Sequence, residues 1–169
     1  MGMSIDIEIQ TTLTPEDDKH LMGWSEQVFP IEGKPISWAP LAYHIVARDG
    51  DEAVGHIGFG EFTLEFGDER LSVIGVGCVV VRPEYQGQGL PSAMFAKLHA
   101  SQLALNLSPE FTLFCPQRLV SYYERHGYVL YQGDYTFMQS EKQVGSTFCF
   151  MHRGPSTLGD KITIPSNPW

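Results

Sequence analysis

The segment of this chain with the clearest chemical potential joins an apolar run to a proline that can begin a helix. It reads Val79-Val80-Val81-Arg82-Pro83-Glu84-Tyr85-Gln86-Gly87-Gln88-Gly89-Leu90-Pro91. Gly87 and Gly89 let the backbone adopt positive φ angles and approach a ligand closely. The free N–H groups of such a turn and of the following helix bind anions, and the helix dipole adds to the attraction. The segment therefore predicts a phosphate-binding turn.

Two familiar phosphate-binding motifs do not match this turn. No Lys-Ser or Lys-Thr pair follows the glycines, as a P-loop requires, and the third glycine and distant acid of the dinucleotide fingerprint are missing. From the glycines alone, a plain strand-to-helix turn without a ligand is an equally good interpretation. The surrounding elements and motifs are needed to choose between them.

The elements that would position this turn follow from hydrophobic patterning and from breakers. Strict alternation predicts a strand over 4–10, and Thr14-Pro15-Glu16-Asp17 predicts the start of a helix that runs to about Gln27. Three prolines make 29–40 an irregular loop that could contact a substrate. Further strands are predicted over 43–48, 53–66, 71–81, 111–115, 128–138 and 146–152, and further helices over 91–105 and 119–126.

The element order β-α-βββ-α-β-α-ββ predicts an α/β (α+β) fold with a mixed sheet. Short turns at 49–51 and 67–69 indicate an antiparallel meander. We expect one domain over 1–169, with a core over 4–152. The tail from residue 153 on carries Ile162, Ile164 and Trp169, so it should pack back on the body.

Composition excludes several classes of function. The 169 residues carry a formal charge of −9 with a pI near 5.0, which disfavours binding to nucleic acid and suits a cationic or amine substrate. No apolar run suffices to cross a bilayer, and no signal pattern begins the chain. Cys78, Cys115 and Cys149 are odd in number with apolar neighbours, which predicts buried thiols in the reducing cytoplasm, with no disulfide and no metal site.

With these elements in place, the chain resembles the GCN5-related N-acetyltransferase (GNAT) family. That family has a Gln/Arg-x-x-Gly-x-Gly/Ala motif after a Val-x-Val-x-Pro strand, which residues 79–83 and 86–91 resemble. Residues 122–128, Tyr-Tyr-Glu-Arg-His-Gly-Tyr, are similar to its Tyr-Glu-x-x-Gly-Phe/Tyr segment. Pro91 departs from the motif, since the family has Gly or Ala there. It removes one N–H donor but suits the first helical position.

The resemblance implies a fold and a cofactor. The fold would have a mostly antiparallel mixed sheet, flanked by helices, in which two central parallel strands splay apart. The pantetheine arm of acetyl-CoA would lie in that gap against the backbone of Val79 and Val81. The pyrophosphate would be surrounded by Gln86, Gly87, Gln88, Gly89, Leu90 and Pro91.

The resemblance also implies catalytic roles. Tyr123 matches the tyrosine whose hydroxyl protonates or hydrogen-bonds the CoA sulfur, and a backbone N–H near Val79 would polarise the thioester carbonyl. Many members carry a Glu on the strand before the loop, but residues 74–78 contain no acid. His56 and Glu61 on the preceding strand are the candidate bases, with a partly buried histidine and a solvated acid as the alternative interpretations.

More finely, the layout is similar to that of the aminoglycoside 2′-N-acetyltransferases. In those enzymes the C-terminal tail folds over the acceptor site, and acids grip the sugar. Here Ser37, Gly77 and Asn167 stand at the matching positions, so an aminoglycoside is not the expected substrate. Trp38, Asn167 and Trp169 are the predicted acceptor-binding residues, with core packing as an equal interpretation of the tryptophans.

The sequence thus predicts a cytoplasmic, metal-free N-acetyltransferase that moves the acetyl group of acetyl-CoA to a primary amine of a small molecule by direct attack. Two alternatives stay open: a non-catalytic module that binds or senses acyl-CoA, and transfer of a longer acyl chain. Exposed strands near 128–152 could also pair two copies into a homodimer.

Overall fold

The computed structural model describes residues 5–22 and 36–169. Its helices are α1 (Pro15–Met22), α2 (Leu90–Ala104) and α3 (Val120–Glu124), and short 3-10 turns cover Pro83–Tyr85 and Gln117–Leu119. Its strands are β1 (Ile5–Gln10), β2 (Tyr43–Asp49), β3 (Glu52–Phe66), β4 (Glu69–Val81), β5 (Phe111–Cys115), β6 (Val129–Leu130), β7 (Asp134–Gln139), β8 (Lys142–Val144), β9 (Cys149–Arg153) and β10 (Lys161–Thr163). The end of the helix predicted to reach Gln27 and the first part of the predicted loop 29–40 lie outside the described residues.

The described strands form one mixed sheet. Its order is β6-β9-β5-β4-β3-β10-β7-β8, and β2 pairs with β3 and with β1. β4 with β5 and β10 with β7 are parallel, and the other pairs are antiparallel. The predicted mixed, mostly antiparallel sheet with helices is confirmed.

The two faces of the sheet carry different partners. α2 and α3 pack on one face, where Met94, Phe95 and Tyr123 share a buried cluster with Ile74 and Val76. The opposite face carries α1 over one small cluster and the C-terminal residues over another, in which Trp169 is buried. Side chains that alternate along β4 therefore reach either the helices or the tail.

The start of α1 forms as its sequence predicts. The Thr14 hydroxyl accepts from the Asp17 N–H at 3.0 Å, which caps the helix. The Asp17 carboxylate receives two hydrogen bonds from Arg48 of β2, at 2.8 and 3.0 Å. This pairing with Arg48 lowers the pKa of Asp17 to about 2. The helix is therefore tied to the sheet by a largely buried ion pair.

β4 and β5 diverge after a short stretch of pairing. They pair only from Ile74 opposite Phe111 to Val76 opposite Leu113. Beyond that point β4 stays with β3 as far as Val81, while β5 stays with β9 as far as Cys115. Among the described residues, the edge of β4 that faces β5 therefore has no strand partner from Gly77 onward, and the predicted splay is confirmed.

A β-bulge lies in the unpaired part of β4. The register between β3 and β4 shifts between His56, opposite Val80, and Gly58, opposite Gly77. Cys78 lies in this bulge with φ 49°, the left-handed region that non-glycine residues rarely adopt. The bulge bends β4 away from a regular ladder where the gap opens.

The prediction for 128–138 was wrong in its extent. That segment is two strands, because β6 pairs with β9 whereas β7 pairs with β10 and β8. A turn through Gly133 separates them, and a Cβ there would lie 2.3 Å from the Asp160 carbonyl oxygen. The hairpin from β7 to β8 turns on Ser140 and Glu141 with φ 49° and 65°. Neither residue type signals a left-handed turn, so this hairpin was not predicted.

The last strand shows how the tail is held. β10 inserts between β3 and β7, although the tail was predicted only to pack on the body. Ile162 and Ile164 are buried there, with 1% and 0% of their surfaces exposed. Backbone pairing, as well as apolar burial, therefore fixes the path of the chain toward Trp169.

Candidate active site

The turn after β4 is held in shape by its own glutamines. Gln86 donates from its side-chain amide to the Val81 carbonyl at 2.9 Å, and Gln88 donates to the Glu84 carbonyl at 3.2 Å. Gly87 and Gly89 have φ 77° and 79°. A Cβ added at either glycine would meet nothing within 4 Å, so open space lies beside the backbone.

The same turn carries unused N–H donors. α2 begins at Leu90, and its first backbone bond runs from the Ala93 N–H to the Gly89 carbonyl at 3.2 Å. Across the described part of the chain, no backbone carbonyl accepts from the N–H groups of Gly87, Gln88, Gly89, Leu90 or Ser92. Pro91 has no N–H to offer. Several free donors at the start of a 15-residue helix make a site for an anion such as a diphosphate.

The gap between β4 and β5 leads away from this turn. Val81 is buried and Val79 is half-buried on the strand side of the gap. Within 5–22 and 36–169, no strand pairs with the β4 backbone there on its β5 side, so an extended ligand could bond to it like an added strand. An extended ligand that bonds to the backbone near Val79 and Val81 would therefore reach the turn directly, because the turn follows these residues in the sequence.

Tyr123 lies on the β5 side, on α3. It is 7% exposed and packs edge-on against Phe95 with ring centroids 6.0 Å apart. Burial raises the pKa of Tyr123 well above its usual range, and Tyr122 and the Cys115 thiol add to the rise. Tyr123 shares a buried cluster with Cys115, the last residue of β5, on the side where β4 has diverged. A phenol with this pKa stays protonated at neutral pH and can donate a hydrogen bond.

His56 is buried at the bulge, on the sheet face of α1 and Trp169. It is 1% exposed. Its Nδ1 lies 2.7 Å from the Cys78 carbonyl oxygen, and its Nε2 lies 2.9 Å from Nδ1 of His44 on β2. Burial lowers the pKa of His56 to about 4. His56 is therefore neutral at physiological pH, with both ring nitrogens engaged.

These contacts decide which nitrogens carry protons. A carbonyl oxygen only accepts, so Nδ1 of His56 must be the N–H. In a neutral imidazole Nε2 is then an acceptor, so Nδ1 of His44 must donate to it. Nε2 of His44 has no hydrogen-bond partner among the described residues.

Glu61 lies on the other face of the sheet. It is exposed, and it alternates along β3 with Gly60 and Phe62. Phe62 stacks on the Trp169 ring with centroids 4.4 Å apart. Because alternate residues point to opposite faces, the side chains of Glu61 and Phe62 diverge. The structure therefore does not bring Glu61 together with His56.

Two glycines allow Leu41 and the end of the tail to pack closely beside His56. A Cβ on Gly58 would lie 2.5 Å from Leu41 and 3.2 Å from the His56 ring, and one on Gly77 would lie 3.0 Å from the backbone carbon of Trp169. Leu41, Trp169 and His56 thus meet over two strand positions that have no side chain. We call this set of five residues the acceptor face, because the sequence predicts that the tail covers the acceptor site.

The remaining predicted acceptor residues lie along the same tail and loop. Trp38 is 47% exposed and has its ring centroid 5.7 Å from that of Phe148. Trp169 is 4% exposed, and its ring donates from Nε1 to the Thr112 carbonyl at 3.2 Å. The Ala39 N–H donates to the Pro168 carbonyl at 2.7 Å, beside Asn167. The segment around Trp38 is therefore joined to the tail, while the Trp169 ring serves packing.

The cysteines are free thiols, but they are not all buried. Cys115 is buried and Cys149 half-buried, whereas Cys78 is exposed. The prediction of a buried Cys78 was wrong because the bulge turns it out of the ladder. Among the described residues no group of three or more His, Cys, Asp or Glu side chains could hold a metal ion. None of the described helices has the length and apolarity to span a membrane.

His44 is not among the site residues that the sequence predicts. The signal was present in the predicted hairpin between the second and third strands. A short turn at 49–51 places residues at similar distances before and after it opposite each other on the two strands. In the structure His44 pairs with Gly58, and Val46 pairs with His56. His44 and His56 are thus diagonal neighbours on one face, a distance within reach of long or aromatic side chains.

Comparison with known proteins agrees with this geometry. A profile described as "Acetyltransferase (GNAT) domain" matches residues 12–131, more than half of the chain. No curated protein matches the chain. Solved structures do match, at identities that indicate the fold alone.

Three of these structures illustrate the likeness. A GNAT family N-acetyltransferase from Escherichia coli in complex with CoA is 15% identical with a TM-score of 0.64, over 98% of this chain and 92% of that one. An acyl-CoA N-acyltransferase from Pseudomonas aeruginosa is 21% identical with a TM-score of 0.56, over 89% and 100%. A conserved protein from Enterococcus faecalis, described as a probable N-acyltransferase, is 17% identical with a TM-score of 0.54, over 74% and 32%. The chain thus spans about a third of the Enterococcus faecalis protein.

A splayed pair of parallel strands, a donor-rich turn after the first of them and a profile match across both motifs point the same way. On the strength of that match, this chain belongs to the GNAT acetyltransferase family.

Proposed function

We propose that this protein transfers the acetyl group of acetyl-CoA to a primary amine of a small molecule by direct attack. The observation that carries the proposal is the run of free N–H donors at 87–92 beside the open edge of β4. It rests on family membership as well, since the family is one of acetyltransferases.

The cofactor side supports CoA by its chemistry. A protein of net charge −9 repels a diphosphate over long range, so local N–H groups and the α2 dipole must hold it. The unpaired edge of β4 then suits the amide-containing pantetheine arm, which can bond like a strand. The CoA in the Escherichia coli structure makes the same cofactor reasonable here.

The acceptor side supports an amine. The negative net charge attracts a cation, and the acceptor face lacks a cationic side chain among its five residues. The face is largely apolar, with Leu41 and the tail over two glycines. A small amine with an apolar body fits this surface better than a polycation such as an aminoglycoside.

The reaction balances without a covalent enzyme intermediate. The acceptor ammonium loses one proton and its nitrogen attacks the thioester carbonyl. The N–C bond forms, the C–S bond breaks, and the second N–H proton accompanies the thiolate, which leaves as the thiol. One proton is released for each amide formed.

Tyr123 is proposed to stabilise the leaving sulfur by a hydrogen bond. Its pKa is raised well above its usual range by burial, whereas a thiol has a pKa near 8.5. Full transfer of the phenol proton to the sulfur would therefore be uphill. The Tyr123 hydroxyl is proposed to stabilise the thiolate by a hydrogen bond. The proton that ends on the CoA thiol comes from the amine.

The first proton of the ammonium is proposed to go to water. His56 uses both of its nitrogens in contacts within the protein, and Glu61 lies on the opposite sheet face. If water takes this proton, turnover should rise with pH until the acceptor amine is neutral.

A thiol-release assay tests this function. Acetyl-CoA is mixed with a panel of primary amines, and CoA binding is measured separately by calorimetry. We expect turnover with apolar amines, and a loss of kcat of about 10²-fold or more in Tyr123→Phe with unchanged CoA affinity. Tyr122→Phe, on the same helix, is the matched control.

Other outcomes would assign the alternatives. Tight CoA binding with no amine acetylated would favour an acyl-CoA-binding module, for which Pro91 and the absence of an acid at 74–78 argue. Faster turnover with longer acyl-CoA would favour transfer of a longer chain. Absence of CoA binding by folded protein would overturn all three.

We propose the reducing cytoplasm as the compartment, because the three cysteines are free. We also propose that residues 1–169 act as one domain whose tail, from residue 153 on, covers the acceptor site. Pairing of two copies through an exposed edge strand such as β8 is a further proposal, which the elution volume of the purified protein would test.

A further inference from the structure

The bulge of β4 is held from one side by a histidine. Nδ1 of His56 donates to the Cys78 carbonyl over 2.7 Å. This bond ties β3 to β4 where the regular ladder is interrupted by the shift in register. A side chain replaces the missing backbone pairing at the point where Cys78 adopts its left-handed conformation.

Peptide geometry carries this constraint to the next residue. The Cys78 carbonyl and the Val79 N–H belong to one planar peptide group, and in a trans peptide they point in opposite directions. The described chain has no cis peptide bond. Holding the carbonyl toward His56 on β3 therefore turns the Val79 N–H away from β3, toward the side where β5 has diverged.

His44 controls the state of His56. In its neutral form, His56 carries one proton, and only the Nδ1–H tautomer can donate to Cys78. The Nδ1–H of His44 donates a hydrogen bond to Nε2 of His56 over 2.9 Å. This bond stabilises the Nδ1–H tautomer of His56. The chain of donors runs from His44 through His56 to the Cys78 carbonyl, and each bond polarises the next.

We propose that His56 is a positioning residue that aims the Val79 N–H at the thioester carbonyl, and that His44 selects the His56 tautomer able to do so. This inference rests on the proposed acetyl transfer and deepens it. His56 would then serve the reaction through the backbone. It would not act as the base, which is the role its residue type first suggests.

The surroundings make this chain insensitive to pH near neutrality. The groups that act on His56 are the His44 ring on β2, the Cys78 carbonyl on β4 and the Asp18 carboxylate on α1. Protonation of His44 at Nε2 leaves its Nδ1–H in place, so the hydrogen bonds from His44 to His56 and from His56 to Cys78 both survive. The donor to Cys78 is therefore present in both charge states of His44.

The test uses the full chain and three substitutions. His56→Ala removes the donor to Cys78, and His56→Asn restores it, because Nδ2 of asparagine occupies nearly the place of Nδ1. His99→Ala is the control, since His99 is also inward-facing, bonds the Tyr128 hydroxyl at 3.1 Å and has a pKa lowered to about 4 by burial. His99→Ala therefore removes an inward-facing imidazole, as His56→Ala does, but it leaves the contacts of the bulge intact.

Two measurements separate positioning from a general structural effect. Infrared spectra of bound acetyl-CoA labelled with ¹³C at the carbonyl report the hydrogen bond to that oxygen without any acceptor amine. We expect the band of the wild type at lower frequency than that of His56→Ala, with His56→Asn and His99→Ala near the wild type. In turnover, kcat should fall by about 10²-fold in His56→Ala, the lower end for losing one oxyanion donor, while the KM for acetyl-CoA stays within about 3-fold.

The outcomes distinguish this inference from the proposed function. If wild-type protein binds no CoA, the proposed function fails. If it binds acetyl-CoA and the carbonyl band is the same in His56→Ala, the inference is overturned although acetyl transfer can stand. Should His56→Ala not fold, the inference rests on His56→Asn and on His44→Phe, which keeps the ring but removes the donor. His44→Phe should move the band part of the way and lower kcat several-fold, and an unchanged band there also overturns it.

Discussion

Two regions of the proposed site are built in different ways. One is the turn after β4, which we call the donor side because it is proposed to hold the acetyl donor, and the other is the acceptor face. On the donor side the turn after β4 holds itself with contacts over four and five residues, from Gln88 to Glu84 and from Gln86 to Val81. On the acceptor face His56 contacts residues 12 and 22 positions away, and Trp169 bonds a carbonyl 57 positions away. One is made by local sequence and the other by the whole fold.

The difference also concerns which atoms act. The donor side presents backbone N–H groups, so it depends on φ angles and on the absence of Cβ atoms. The acceptor face presents side chains, among them His56 with its partner His44, so it depends on burial and on packing between strands. We therefore expect mutations to harm the donor side through the backbone and the acceptor face through its packing and protonation.

The largest predicted effect is a loss of folding stability at acidic pH, caused by protonation of His56. His56 has a pKa of about 4 in the folded protein against about 6.5 when unfolded. The unfolded state thus binds the extra proton first, and stability is lost as pH falls from 6.5 toward 4. The full contribution is about 3 kcal/mol. Denaturant unfolding at pH 7 and pH 4 measures it.

The control for this prediction is His56→Asn, which cannot titrate. Its free energy of unfolding should fall less between pH 7 and pH 4 than that of the wild type, by most of the predicted amount. Other buried histidines, His99 among them, contribute equally to both proteins and cancel in the difference. Parallel pH curves for the two proteins would contradict the prediction.

The next largest effect is on packing under the tail. A Cβ on Gly75 would lie 2.5 Å from both the Phe62 and the Trp169 rings, so Gly75→Ala should destabilise by about 2 kcal/mol through overpacking. Thermal unfolding measures this. Gly145→Ala is the control, because a Cβ there meets nothing within 4 Å. Equal unfolding temperatures for the two variants would mean that the tail can shift freely.

On the donor side, Gly89→Ala should weaken CoA binding more than it weakens folding. A non-glycine residue at φ 79° costs about 1–2 kcal/mol, and escape from that strain would turn the N–H groups of the helix start away. We expect CoA affinity to fall about 10-fold in calorimetry. An unchanged affinity, with only a lower melting temperature, would place the cofactor elsewhere.

The smallest effect is a gain. Pro91→Ala returns an N–H donor to the first turn of α2, and one more hydrogen bond to an anion contributes about 1 kcal/mol. CoA affinity should rise by roughly 5-fold at most, with little change in unfolding. Ser92→Ala, one position on, keeps its backbone N–H and should leave affinity unchanged. A loss of affinity in Pro91→Ala would indicate that the proline itself shapes the turn.

Most of the fold was predictable because its signals are local. Alternation in β1, the Thr14 cap of α1 and glycine-bearing turns between β2, β3 and β4 each depend on a few neighbouring residues. The break between β6 and β7 and the entry of β10 into the sheet were not predictable in this way. They depend on which distant strand each segment pairs with. The hairpin from β7 to β8 was not predicted either, because its turn at Ser140 and Glu141 contains no glycine.

What the sequence determined by itself is the donor side: a strand, a glycine turn and a helix start lie in consecutive residues, so their backbone groups must lie together in any fold. What only the tertiary structure decided is the acceptor face. The bulge at Cys78, the tautomer of His56, its contact with His44 and the covering tail arise because β2, β3, β4 and residue 169 are brought side by side. Because these groups are buried, they cannot exchange their hydrogen bonds within the protein for hydrogen bonds to water.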